Sequence, residues 1–180
     1  MNLARSKASW LLVTLVALLL AAGSALAADY TLTGSGTRVK TVAFIDVNVY
    51  SISHFMRELP SSRSKQAVID KETDKKFVWK MLRDVDHAKI VDALKDAYAM
   101  NGYSDSAKIG QLMGAFKSEL KETSSVTISY DAAKQATTVT VSGGGSATVP
   151  GVDFMKATWS IWFGKIDQPR LGDQLVSKIP

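Results

Sequence analysis

Apolar residues recur at two spacings along the chain, and each spacing predicts one type of element. Alternating or dense β-forming residues predict strands at 30–32, 39–52, 77–82, 126–130 and 137–141. Spacings of three and four residues predict helices at 64–71, 87–100, 105–120, 152–163 and 171–178. Because strands and helices are mixed without a repeat or a linker, we predict one α+β domain.

The N-terminal segment 1–27 has the pattern of a secretory signal peptide. Arg5 and Lys7 precede an almost unbroken apolar run over 10–22, and an Ala-Leu-Ala sequence follows at the predicted cleavage site. The run is shorter than the roughly 20 residues that span a bilayer, so we expect no membrane anchor after cleavage. We therefore predict an exported domain, 28–180, that is periplasmic or secreted.

Composition excludes several classes of protein. The 180 residues include no cysteine, which excludes disulfides, thiolate metal sites and thiol catalysis. Only two histidines are present, His54 and His87, and we predict no metal site. The net charge of +5 is spread among acids with no basic run between aromatics, so we expect no nucleic-acid partner. There is no Gly-x-Ser-x-Gly nucleophile motif and no complete dinucleotide fingerprint, and we predict no cofactor.

Arg38 is the first candidate functional residue. It follows the segment 34–36, Gly-Ser-Gly, which we predict to be a flexible turn at the mouth of a strand. If that strand continues unbroken, the face of Arg38 also carries Phe44, Asp46, Asn48 and Tyr50. Such a mixed face fits the wall of a cleft, where arginine can donate two hydrogen bonds to a carboxylate or phenolate. The alternative is an exposed arginine at a strand end.

The second candidate is the aromatic segment 159–163 of the last long predicted helix. Trp159, Trp162 and Phe163 cover most of the circumference of that helix. Large aromatic side chains are mostly buried, so core packing is the favoured interpretation over a ligand-binding surface.

Four short segments, in chain order, resemble motifs of chalcone isomerases. Residues 32–38, Leu-Thr-Gly-Ser-Gly-Thr-Arg, resemble their Leu-Gly-Gly-x-Gly-x-Arg segment, and 44–50 is similar to the strand that follows it. Residues 82–85, Leu-Arg-Asp-Val, and 161–164, Ile-Trp-Phe-Gly, resemble two later motifs. The resemblance implies an open-faced β-sandwich, a large antiparallel sheet with helices packed on one face.

The resemblance also implies a mechanism, but only in part. Chalcone isomerases hold the phenolate oxyanion of their substrate with an arginine, which Arg38 matches, and Lys89 matches their lysine. The threonine that polarises the ketone falls at Ile45, and the tyrosine and asparagine positions fall at Asp86 and Ala93. Three polar groups of the catalytic site are therefore replaced.

Some members of the family are non-catalytic and bind fatty acids through an arginine and a tyrosine. The retained Arg38 implies a similar binder of a small acidic or phenolic amphiphile, with Tyr50 or Tyr98 as its partner. One alternative is an isomerase of the intramolecular lyase type, acting on an unknown substrate through Arg38 and Lys89. Another is a protein without a ligand that has a structural or partner-binding role.

Overall fold

Six antiparallel strands form one sheet in which every strand pairs with its neighbours in the chain. The computed structural model describes residues 29–180, so the predicted signal peptide lies outside the described residues. The strands are β1 (Thr31–Val42), β2 (Ile45–Met56), β3 (Lys75–Met81), β4 (Ser125–Asp131), β5 (Ala136–Val141) and β6 (Ser146–Pro150). The helices are α1 (Lys65–Asp70), α2 (His87–Met100), α3 (Ser106–Met113), α4 (Val152–Phe163) and α5 (Pro169–Leu175).

The core lies between one face of the sheet and the helices. Phe77, Trp79 and Met81 alternate along β3 and are almost fully buried, as their spacing predicts. Eight of the 12 residues of α4 are buried, including both tryptophans of the segment 159–163. The other face is polar and carries hydroxyl pairs such as Thr138 with Thr148. The predicted α+β fold, a sheet with one open face, is confirmed.

The segment 34–36 is not a turn, and that prediction is wrong. β1 runs continuously through it, and α5 packs directly on the strand at this point. A Cβ atom at Gly34 would overlap the carbonyl oxygen of Gln174, and one at Gly36 would lie 2.6 Å from Leu171 Cδ1. The glycines are therefore required for close helix packing rather than for chain reversal.

The predicted strand 39–52 is in fact two strands joined by a tight hairpin at Ala43 and Phe44. Both residues have positive φ, 48° and 67°, which the type I′ form of a two-residue hairpin turn requires. Phe44 is fully exposed at the tip and does not share a face with Arg38. Arg38 instead lies opposite Tyr50 across the hairpin, because β1 and β2 pair in that register. The sequence contained no Asn-Gly signal for this turn.

Three further elements differ clearly from prediction. α3 ends at Met113, and Leu120 instead bridges to Val85 in an isolated antiparallel pair. β6 was not predicted, and it follows the glycine turn 143–145. The last helix spans Pro169–Leu175, earlier than expected, because a proline favours the first helical turn.

Candidate ligand-binding cleft

A cleft of about 930 Å³ lies between the β1–β2 hairpin and α2. β3 pairs with β2 only from Met56 to Tyr50, so the rest of the hairpin extends beyond the sheet. The walls of the cleft are mainly apolar, and the residues that form them include Val42, Ile45, Val47, Val49, Ile90, Ala93, Leu94, Ala97 and Met100. Tyr50, Trp79 and Trp162 also line the cleft, and all three are largely buried.

Arg38 is held in this cleft by a local irregularity of the hairpin. The register shifts between Arg38 and Val39, which leaves Val49 without a partner on β1. Gln168 fills the resulting gap: its Oε1 accepts from the Val39 N–H at 3.0 Å and from Arg38 Nη1 at 3.2 Å. Gln168 Nε2 donates to the Thr37 carbonyl at 2.9 Å. One side chain from the α4–α5 loop therefore fixes both the strand and the guanidinium.

Asp167, next to Gln168, pairs with two cations at the cleft. Its Oδ1 lies 2.6 Å from Arg38 Nη2, and its Oδ2 lies 2.7 Å from Lys40 Nζ. Partial burial raises the pKa of this carboxyl, but Lys40 and Arg38 more than offset that, so the pKa lies below its ordinary value. Asp167 is therefore ionised at neutral pH. The Arg38 side chain is only 12% exposed.

Tyr50 provides a hydroxyl beside Arg38. Its ring stacks on Trp79 with centroids 4.6 Å apart, and its oxygen accepts from Trp162 Nε1 at 3.2 Å. Burial raises the pKa of Tyr50, while Trp162 and Arg38 oppose the rise, so the hydroxyl stays protonated. Within residues 29–180 the structure gives the O–H proton no acceptor. Trp79 Nε1 is likewise buried without a hydrogen-bond partner in that part of the chain.

The remaining predicted site residues divide into two groups. Lys89 lines the cleft near the start of α2 and is exposed. Tyr98 lies outside the lining of the cleft: its hydroxyl is 2.8 Å from Thr158 Oγ1, and its ring stacks on Phe154. Burial raises the pKa of Tyr98 as well. The cleft therefore brings together Arg38, Tyr50 and Lys89, but not Tyr98.

Ile45, Asp86 and Ala93 also line the cleft. The apolar side chains of Ile45 and Ala93 provide no hydrogen-bond donor there. Asp86 is the N-cap of α2, and its carboxylate accepts from the Ala88 N–H at 2.8 Å. Each of the three replaced positions therefore borders the cleft without the polar group that the resemblance to chalcone isomerases associates with it.

Sequence reasoning missed Trp79, Asp167 and Gln168. Gln168 bonds to residues about 130 positions earlier in the chain, and no local pattern connects it or Asp167 with β1. Trp79 was predicted only as a residue of a buried strand face. Its unpartnered N–H becomes visible only once the packing around it is known.

No group of three potential metal-ligating side chains occurs among residues 29–180. No helix in that range is long and apolar enough to cross a bilayer.

Comparison with known proteins gives a match to a sequence family and a match to a solved structure. A family model described as chalcone isomerase-like matches residues 21–171. A crystal structure of a fatty-acid binding protein from Arabidopsis thaliana matches with a TM-score of 0.66 at 12% sequence identity. The match covers 82% of this chain and 86% of that one, so the two proteins share a fold. No curated protein matches the sequence.

Proposed function

The chain belongs to the chalcone isomerase-like family, and we propose that it is a non-catalytic binder of a small acidic amphiphile such as a fatty acid. The carboxylate of the ligand pairs with Arg38 and accepts from the Tyr50 hydroxyl. Its hydrocarbon chain lies between the hairpin and α2. The observation that carries the proposal is the largely buried Arg38, which lies beside Tyr50 in a cleft whose walls are mainly apolar.

The chemistry of the cleft supports this proposal. Its volume of about 930 Å³ is within the range of small-molecule sites, which are mostly apolar with a few placed polar groups. The planar guanidinium of Arg38 suits a carboxylate, and the protonated Tyr50 hydroxyl still has a proton to donate. The fold shared with a fatty-acid binding protein is consistent with this assignment.

The position of the two tyrosines favours Tyr50 over Tyr98 as the partner of Arg38. Tyr50 lies directly across the hairpin from Arg38 and lines the same cleft. The Tyr98 hydroxyl is already engaged with Thr158, whose Oγ1 also bonds to the Phe154 carbonyl. We therefore propose Arg38 and Tyr50 as the residues that hold the head group.

The N-terminal pattern supports action outside the cytoplasm. We propose that segment 1–27 is removed during export and that the domain binds its ligand in the periplasm or after secretion. N-terminal sequencing of the exported protein tests this, since the expected first residue is Ala28. Retention of Met1 would contradict it.

Calorimetric titration with decanoate tests the binding proposal. Arg38→Ala is expected to weaken binding by about 2–4 kcal/mol, the range for removing one partner of a buried charge pair. Arg38→Lys should recover only part of this loss, because an ammonium cannot donate two parallel hydrogen bonds. Arg63→Ala is the matched control, since Arg63 is exposed before α1 and does not line the cleft.

Each outcome has a defined meaning. Equal affinity in the wild type and both Arg38 variants would remove Arg38 from the site. No binding by the folded wild type would instead favour a structural or partner-binding role. Circular dichroism of every variant establishes that differences in affinity do not arise from unfolding.

A further inference from the structure

The guanidinium of Arg38 already holds a carboxylate. Its Nη2 lies 2.6 Å from Asp167 Oδ1, while its Nη1 donates to Gln168 Oε1 and to the carbonyl of Val39 at 3.1 Å. The side chain is 88% buried, so little of it is open to solvent. A ligand carboxylate that pairs with Arg38 therefore meets a competing anion at the same group.

We propose that Asp167 is an internal counter-ion that takes the place of the ligand carboxylate and is exchanged for it on binding. This inference rests on the function proposed above. In the empty protein, Asp167 keeps the buried guanidinium paired, because an isolated charge in a largely buried position is unfavourable. When an acidic ligand enters, its carboxylate replaces that of Asp167, and Arg38 remains paired throughout.

The carboxylate of Asp167 can be displaced from Arg38, whereas the amide of Gln168 cannot. Gln168 is bound to Val39, Thr37 and Arg38 at once and holds the irregular part of β1 together. Asp167 is 45% exposed and has a second partner, Lys40, which is 47% exposed. A rotation of one side chain toward solvent releases Arg38 while the carboxylate keeps Lys40 and water as partners. The exchange therefore needs no movement of the loop backbone.

The exchange gives the site a preference for acids. A neutral amphiphile that displaced Asp167 would leave Arg38 without a counter-ion, so it must bind with Asp167 in place. An anionic amphiphile replaces one charge pair with another. Removing the charge of Asp167 should therefore strengthen the binding of an acid and leave the binding of a matched alcohol unchanged.

The test compares decanoate with decan-1-ol on four proteins by calorimetry. Asp167→Asn is expected to bind decanoate about three- to tenfold more tightly than the wild type, the effect of removing a partly exposed competing charge. Its affinity for decan-1-ol should change less than twofold. Asp167→Glu keeps a carboxylate beside Arg38, so its affinity for decanoate should remain well below that of Asp167→Asn. Asp173→Asn is the matched control, because Asp173 pairs with Lys65 and does not line the cleft.

Three results would overturn the inference. Decanoate binding by Asp167→Asn that is equal to or weaker than that of the wild type means that Asp167 does not compete, and the proposed function would stand without it. An equal gain in affinity for decanoate and for decan-1-ol would mean that Asp167→Asn alters the cleft in general rather than removing a competing charge. If neither the wild type nor Asp167→Asn binds decanoate, the proposed function is wrong and the exchange is wrong with it.

Discussion

His54 is held neutral in the core by the groups that it contacts. Its Nε2 accepts from Trp159 Nε1 at 2.8 Å, so the single ring proton lies on Nδ1, 2.6 Å from Thr33 Oγ1. Thr33 in turn donates to the Leu175 carbonyl at 2.8 Å. Burial, together with the nearby charge of Lys75, holds the pKa of His54 well below its ordinary value. A second ring proton would face the indole N–H.

This arrangement predicts a loss of stability in mild acid. Below about pH 6.5 the unfolded histidine binds a proton that the folded ring does not, so the free energy of unfolding falls as pH falls. The His54 contribution is up to about 1.4 kcal/mol per pH unit in that range. Urea unfolding between pH 7 and pH 5 measures it. His54→Gln can make both hydrogen bonds and should show a smaller slope, and equal slopes would contradict the assignment.

The replaced residues of the cleft predict the absence of chalcone cyclisation. Ile45 and Ala93 border the cleft where the family resemblance places a threonine and an asparagine. One donor to a developing negative charge is worth roughly 3 kcal/mol in other enzymes, so the loss of two should abolish useful catalysis. Conversion of chalcone to flavanone should occur at the spontaneous rate. Turnover above that rate, lost in Arg38→Ala, would contradict this and support an isomerase.

The site was only partly predictable from individual residues. Arg38 and Tyr50 were identified from a strand pattern and a family resemblance, although the assumed face was wrong. Arg38 and Tyr50 are neighbours because β1 and β2 pair with each other. The prediction treated this part of the chain as a single strand and therefore missed the pairing. Asp167 could not be linked to Arg38 from sequence, because their contact depends on where α5 packs against β1.

At the level of elements, hydrophobic periodicity predicted the bounds of helices most accurately where the residues at the helix ends also favour those bounds. α4 was predicted with its full bounds, since apolar residues recur along its whole length and glycines flank both ends. α2 likewise has its predicted bounds, with Asp86 as its N-cap and Asn101 as its C-cap. The β1–β2 hairpin was missed because its turn consists of Ala43 and Phe44, which rarely adopt positive φ.

The turn predicts a stabilising substitution. Phe44 has a φ of 67° and its side chain is fully exposed, so glycine removes backbone strain without loss of packing. Phe44→Gly should be about 1 kcal/mol more stable than Phe44→Ala, which removes the same ring but keeps the strain. Urea unfolding of both variants measures the difference. Equal stability would show that the turn is not strained at this position.

At the scale of the whole molecule, the sheet and the helices have separate roles. The inner face of the sheet and the helices form the core, while the part of the hairpin that extends beyond β3 forms one wall of the cleft. The α4–α5 loop joins the two by binding β1 through Gln168. The fold class was predictable from element order and the resemblance. The position of the cleft was not, because the cleft lies where the pairing of β2 with β3 ends.

A crystal structure of the protein with decanoate tests the proposed binding site most directly. We expect the ligand carboxylate to lie within hydrogen-bonding distance of Arg38 and Tyr50, with Asp167 turned toward Lys40 and the hydrocarbon chain between the hairpin and α2. A carboxylate bound by Lys89 instead of Arg38, or a cleft without ligand at saturating decanoate, would contradict this prediction.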